Sequence, residues 1–143
     1  MTKLLIDTPV FKVEFKLKYL TLIGGDSGTG KSYLVDCIRN YIQLQDNGQM
    51  YHVVDSVESL KQFISTAKGT AFVFYDKCEQ DRNAGEIFSI IQTTLCDPFS
   101  KVYFIIMAKG KIPVFHSVTD FRDLQCKYDS RDRKVYFSLK EVF

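Results

Sequence analysis

The sequence carries no excess of charge of either sign. Nineteen lysines and arginines stand against seventeen acids, a net of +2. The balance holds along the chain, with 8 basic and 7 acidic side chains in residues 1–70, leaving 11 and 10 for residues 71–143. With neither a basic patch nor an acidic tail, charge gives no indication of nucleic-acid or membrane-surface binding. Cysteine is sparse and widely spaced. Cys37, Cys78, Cys96 and Cys126 form no C-x-x-C and do not combine with the two histidines, His52 and His116. That argues against a zinc site and a disulfide framework, and points to free thiols in a reducing cytoplasm. Long apolar runs are missing too: the longest, Val102 to Ala108, falls far short of the ~20 residues that cross a bilayer. Asp7 interrupts any signal-peptide core at the N-terminus, so the expectation is a cytoplasmic protein without a membrane segment. Repeats, low-complexity tracts and Pro/Ser-rich linkers are also absent, and residues 1–143 read as one domain.

What is present is a globular composition, 45% hydrophobic and 25% charged, whose 12 Phe and 8 Tyr can fill a core without crosslinks. Strand and helix patterns alternate. Phe11 to Phe15 alternates as a half-exposed strand, and Lys18 to Ile23 reads as a second strand ending at Gly24-Gly25. From Lys31 a helical period runs through Leu34, Ile38 and Tyr41/Ile42 until Asn47-Gly48. Met50 to Val54 reads as a short strand. Asp55 and Glu58 have the spacing of a capping box before a helix with Val57, Leu60 and Phe63/Ile64 inside. Thr70 to Asp76 is a nearly continuous apolar run ending on an acid. Asn83 and Glu86 form a second capping-box pattern, before a helix with Ile87, Phe88, Ile91 and Leu95 inside. Val102 to Met107 is apolar throughout, Asp120 to Lys127 reads as a short helix or loop, and Val135 to Leu139 as a last strand. Strands apolar at every position are buried on both faces, which predicts a parallel sheet with helices on each side.

One motif carries chemistry. Gly25-Asp26-Ser27-Gly28-Thr29-Gly30-Lys31-Ser32 matches G-x-x-x-x-G-K-[ST] in full. Glycines let the backbone turn its N–H groups inward onto phosphate oxygens. The helix opening near Lys31 adds its positive end to the same anion. Lys31 supplies a mobile charge for the terminal phosphates, and Ser32 a hydroxyl for Mg²⁺. From ordinary residue frequencies the pattern arises by chance in roughly one chain of this length in two hundred. Here it also falls between a predicted strand and a predicted helix.

On this motif the chain resembles the P-loop NTPase superfamily. The resemblance implies a three-layer α/β/α sandwich with a mainly parallel sheet, with room for antiparallel edge strands at the N- and C-termini. It also implies binding of ATP with Mg²⁺. Phe72-Val73-Phe74-Tyr75-Asp76 looks like the Walker B strand of that family, with Asp76 holding the metal shell alongside Ser32. The order of elements is similar to the additional-strand division of AAA-type and RecA-type ATPases. That likeness implies that the Walker B strand lies away from its sequence neighbour in the sheet.

The chain departs from that pattern in two places. Lys77 stands where efficient hydrolases of the division carry a water-polarising Glu, leaving Glu79 or Asp81 as candidates from the following loop. The strand ending at Met107 is followed by Ala108 and Lys109-Gly110-Lys111 rather than by a polar phosphate sensor; Lys109 or Lys111 could contact phosphate. Arg82, Arg131 and Arg133 are conceivable arginine fingers, though the run around the last two alternates in sign as a solvated turn does. The N-K-x-D element of small GTPases is missing, which leaves ATP as the default nucleotide. His52 and His116 read as structural, and a nucleophilic role for the four cysteines is not expected.

The expectation is a slow Mg²⁺-dependent ATP hydrolase, with Lys31, Asp76 and Glu79 as its catalytic residues. The chain is too short for the helical lid of larger AAA-type enzymes, so this bare core would act with a partner or as an oligomer. A nucleotide-gated interaction module without useful hydrolysis is the alternative, and a small-molecule kinase ranks third because no arginine-rich lid segment is visible.

Overall fold

The computed structural model describes residues 2–24, 30–45, 50–108 and 119–141, with backbone alone for Glu79 and Thr119. In chain order the elements are β1 (Thr2–Asp7), β2 (Phe11–Leu17), β3 (Leu20–Gly24), α1 (Lys31–Gln45), β4 (Tyr51–Val53), α2 (Val57–Thr66) and β5 (Ala71–Tyr75). A 3₁₀ turn (Cys78–Gln80), α3 (Ala84–Leu95), β6 (Val102–Met107), β7 (Thr119–Asp129) and β8 (Lys134–Glu141) complete it.

All eight strands join one sheet in the order β1-β2-β8-β7-β3-β6-β5-β4. From β4 to β7 every pairing is parallel. Beyond β7 the sheet turns mixed: β7–β8 is antiparallel, β8–β2 parallel and β2–β1 antiparallel. The sheet curls into a half-barrel, with 42% of the described residues in strands and three α-helices among them. The expected three-layer sandwich with a mainly parallel sheet is therefore corrected. The reason lies in the half-exposed strands. Phe11, Val13, Phe15 and Leu17 alternate inward on β2, as do Leu4 and Ile6 on β1, so this half covers a helix with one face only.

The concave face wraps α1, whose Leu34, Val35, Cys37 and Ile38 pack among Phe15, Ile23, Phe74, Ile105 and Phe137. The opposite face of the parallel half is covered by α2 and α3, through Leu60, Phe63, Ile87 and Ile91 against Leu22, Val73, Phe104 and Ile106. Burial on both faces explains why β5 and β6 are apolar at nearly every position. The curl brings the edge strand back to the middle of the sheet: the Thr2 hydroxyl donates to the Tyr103 hydroxyl of β6 at 2.5 Å. Tyr103 in turn stacks on Tyr19, with ring centroids 4.7 Å apart.

Several local expectations change. β5 lies between β4 and β6, its neighbours in sequence on both sides, so the implied distance of this strand from its sequence neighbour does not hold; it is β3 that β6 separates from β5. Ser56, not Asp55, caps α2, its hydroxyl accepting from the Ser59 N–H at 3.1 Å, while the Asp55 carboxylate takes the Ser59 hydroxyl. Asn83 occupies the cap position of α3 without a side-chain bond; the Asp81 carboxylate accepts its N–H at 2.9 Å instead. Asp120 to Lys127 is neither helix nor loop but the centre of β7, the longest strand. Asn47-Gly48, expected to stop α1, lie outside the described residues.

Candidate functional site

The segment most informative in sequence falls between β3 and α1. Gly25, Asp26, Ser27, Gly28 and Thr29 lie outside the described residues; Gly30, Lys31 and Ser32 are described. Gly30 takes φ +96°, a left-handed value that only glycine adopts without strain. Its carbonyl accepts the Leu34 N–H at 2.9 Å, the first hydrogen bond of α1. Lys31 and Ser32 therefore stand in the opening turn of a 15-residue helix, where backbone N–H groups lack partners within the helix. Lys31 is partly buried and Ser32 exposed.

Asp76 directly follows β5 and is partly buried. Its carboxylate accepts the Lys77 N–H at 2.9 Å, which pins the end of the strand. Lys77 is exposed and left-handed, φ 55°, and turns the chain into the 3₁₀ segment. Because β3, β6 and β5 are parallel, Gly30–Ser32 and Asp76 stand at the same edge of the sheet, with β6 between their strands. At about 4.8 Å per strand this separates β3 from β5 by about 10 Å. α1, which follows β3, covers one face, and α3, which follows β5, covers the other. Open α/β sheets bind ligands where connections part to opposite faces beyond the carboxyl ends of the strands.

The remaining candidates are distributed unevenly around this edge. Asp81 is committed to structure, accepting the Tyr75 hydroxyl at 2.6 Å as well as the Asn83 N–H. Glu79 lies in the 3₁₀ turn next to Asp76, with its side chain outside the description. Ala108 extends the β6–β3 ladder by donating to the Ile23 carbonyl at 3.2 Å. Lys109, Lys111 and His116 lie outside the described residues. Arg82 is exposed ahead of α3, and Arg131 and Arg133 occupy the β7–β8 turn. His52 stacks on Phe63 with centroids 4.9 Å apart, and burial lowers its pKa against a smaller opposing effect of Asp55. Burial raises the Cys37 thiol above its ordinary range, which disfavours the nucleophilic thiolate.

The sequence did not reveal the wall beside Gly30. Among the described residues β7 pairs with β3 as far as Asp123 opposite Gly24, and Leu124–Asp129 continue beyond that pair. Six residues at about 3.3 Å each carry this wall roughly 20 Å further. A β-carbon at Gly30 would lie 2.9 Å from Cys126 Cβ and 3.9 Å from Leu124 Cδ2. Tyr33, next after Ser32, meets Phe137 of β8 edge-to-face at 5.8 Å. The alternation of Leu124, Cys126 and Tyr128 with Asp123, Gln125 and Lys127 was the available signal that this stretch is a strand.

For a metal, the candidate donors among the described residues at this edge are the Ser32 hydroxyl and the Asp76 carboxylate. Among the described residues no cluster of three or more His, Cys, Asp or Glu side chains could hold a metal ion. Oxygen donors in this number suit a Mg²⁺ that arrives with phosphate and keeps much of its water. Among the described residues no helix is long and apolar enough to cross a membrane. In comparison with known proteins, no family model, no curated protein and no solved structure matches this chain.

Proposed function

We propose that this chain binds a nucleoside triphosphate, ATP by default, with Mg²⁺ at the edge formed by Gly25–Ser32 and Asp76, and hydrolyses it slowly in concert with a partner or further copies of itself. One observation carries the reading. Gly30 precedes α1, which Lys31 and Ser32 open as the next element after β3, and Asp76 follows β5 at the same edge of a parallel sheet. Phosphate oxygens would take the N–H groups of the opening turn, favoured by the helix dipole, and the Lys31 ammonium would neutralise the terminal phosphates. Ser32 and Asp76 would hold Mg²⁺, which when bound spreads charge off the β- and γ-oxygens. The chain's own contribution to rate is then mainly electrostatic and positional.

Lys77 favours a second reading, a nucleotide-gated interaction module without useful hydrolysis. It occupies the place after Asp76 where a water-activating acid would serve, and Asp81 is already bonded to Tyr75 and Asn83. Parallel measurement of ATP turnover and equilibrium binding, with Lys31→Ala as control, separates the two. Turnover that Lys31→Ala abolishes supports the hydrolase. Binding without turnover supports the module, and no binding by the wild-type protein with Mg²⁺ removes both.

A further inference from the structure

Resting on that nucleotide-site reading, we infer that Tyr33 is the platform on which the nucleobase stacks, so that the base is read by its aromatic face. The direction of the ligand follows from the strand order. Phosphates held at the opening turn of α1 have Asp76 to one side, two strands away at the end of β5. A triphosphate whose metal-bearing end points toward Asp76 must leave its nucleoside on the opposite side of β3, toward β7 and β8. Tyr33 stands on that side, one residue past Ser32, and meets β8 through Phe137.

Its surroundings suit a stacking platform. Leu34 and Val35, which follow it, are buried, whereas Tyr33 keeps 49% of its surface exposed. Phe137 is 1% exposed and cannot move aside, and its edge-to-face contact at 64° holds the tyrosine ring from one direction. A ring fixed in this way loses little further freedom when a base lies on it. Close packing of the β7 wall on Gly30 at Cys126 closes the flank of the same space. Stacking selects for a π face rather than for a pattern of donors and acceptors, so this platform takes adenine and guanine alike.

The test compares Mg²⁺-ATP with Mg²⁺-tripolyphosphate, which has the phosphates and no base, by calorimetry. Tyr33→Ala is expected to weaken ATP binding by about tenfold or more, the usual size of one lost base–aromatic stack, and to leave tripolyphosphate binding unchanged. Tyr33→Phe keeps ATP affinity. Phe99→Ala removes the most exposed aromatic among the described residues, well away from α1, and should change neither ligand. Equal weakening of both ligands by Tyr33→Ala would make the residue a support of the phosphate loop and overturn the inference, as would unchanged ATP affinity. Wild-type protein that binds tripolyphosphate but not ATP more tightly overturns the base platform alone. Wild-type protein that binds neither overturns the nucleotide reading, and the platform with it.

Discussion

Gly30 and Cys126 approach so closely that a β-carbon on the glycine would sit 2.9 Å from Cys126 Cβ and 3.2 Å from its sulfur. This contact joins the last glycine of the phosphate motif to β7, which among the described residues pairs with β3 up to Gly24. Gly69 has a similar backbone, φ +83°, with nothing within 4 Å of a β-carbon. The two positions separate conformational strain from crowding. Gly69→Ala is expected to cost about 1 kcal/mol, and Gly30→Ala about 2 kcal/mol or more because β7 must also give way. Thermal unfolding of both variants checks this, and equal costs would show that Cys126 yields freely.

Thr21 gives a prediction of opposite sign. It is wholly buried on the concave side of β3, on the face it shares with Ile23, and its hydroxyl has no hydrogen-bond partner among the described residues. A desolvated hydroxyl without a partner costs roughly 1–3 kcal/mol. Thr21→Val keeps the branched shape and removes that cost, so urea unfolding should show a gain of about 1 kcal/mol. A loss of stability instead would show that the hydroxyl is bonded in solution.

Legibility in the sequence followed how locally each feature is determined. β6 was readable to its ends and β5 to within a residue because both are apolar throughout, and the start of α1 at Lys31 was readable because the helical period begins there. The overall architecture was not. β1, β2 and β8 show an alternation that specifies one wet face but says nothing of which strand lies beside which, and their insertion beyond β7 converts an open parallel sheet into a half-barrel. Leu5 and its neighbours hid β1, since Leu4, Leu5 and Ile6 break a clean alternation even though Leu5 is half-exposed. Tyr33 and Cys126 escaped for a related reason. Their place around Gly30 depends on the register of Gly24 with Asp123, a pairing across about a hundred residues that no local window contains.

His52 ties stability to pH. Burial holds its pKa below the ordinary value of 6.5, so the folded state keeps it neutral where the unfolded chain has begun to take up a proton. The unfolded state then binds more protons, and stability falls as pH drops below about 6.5, levelling off once the folded state also protonates. Above pH 7 the effect vanishes. Urea unfolding at pH 7.5 and 5.5 should show the loss in wild-type protein and a smaller one in His52→Gln. The carboxylates of Asp7 and Glu14, lowered by Lys134 and Lys3, act in the same direction only at lower pH, near the ordinary carboxylate range. Identical slopes for the two proteins would assign the effect to other groups.

Asp76 offers the most direct test of the metal's place at the proposed site. Its carboxylate has a structural duty, accepting the Lys77 N–H at 2.9 Å, and an amide oxygen can perform that duty equally well. Asp76→Asn therefore preserves the turn after β5 while removing the negative charge that a divalent cation requires. Folding stability should change little, and ATP affinity measured without Mg²⁺ should stay level or rise, since an anion near the phosphates has been removed. Affinity with Mg²⁺ should fall by about tenfold, the scale of one charged hydrogen-bonding partner lost. Binding titrations with and without Mg²⁺ read both effects on the same protein. If Mg²⁺ strengthens ATP binding to the same extent in wild type and Asp76→Asn, the metal is held without Asp76. The carboxylate then has a structural duty at the end of β5 rather than a metal to hold, and the search for the metal's protein ligands turns to Ser32 and the residues around it.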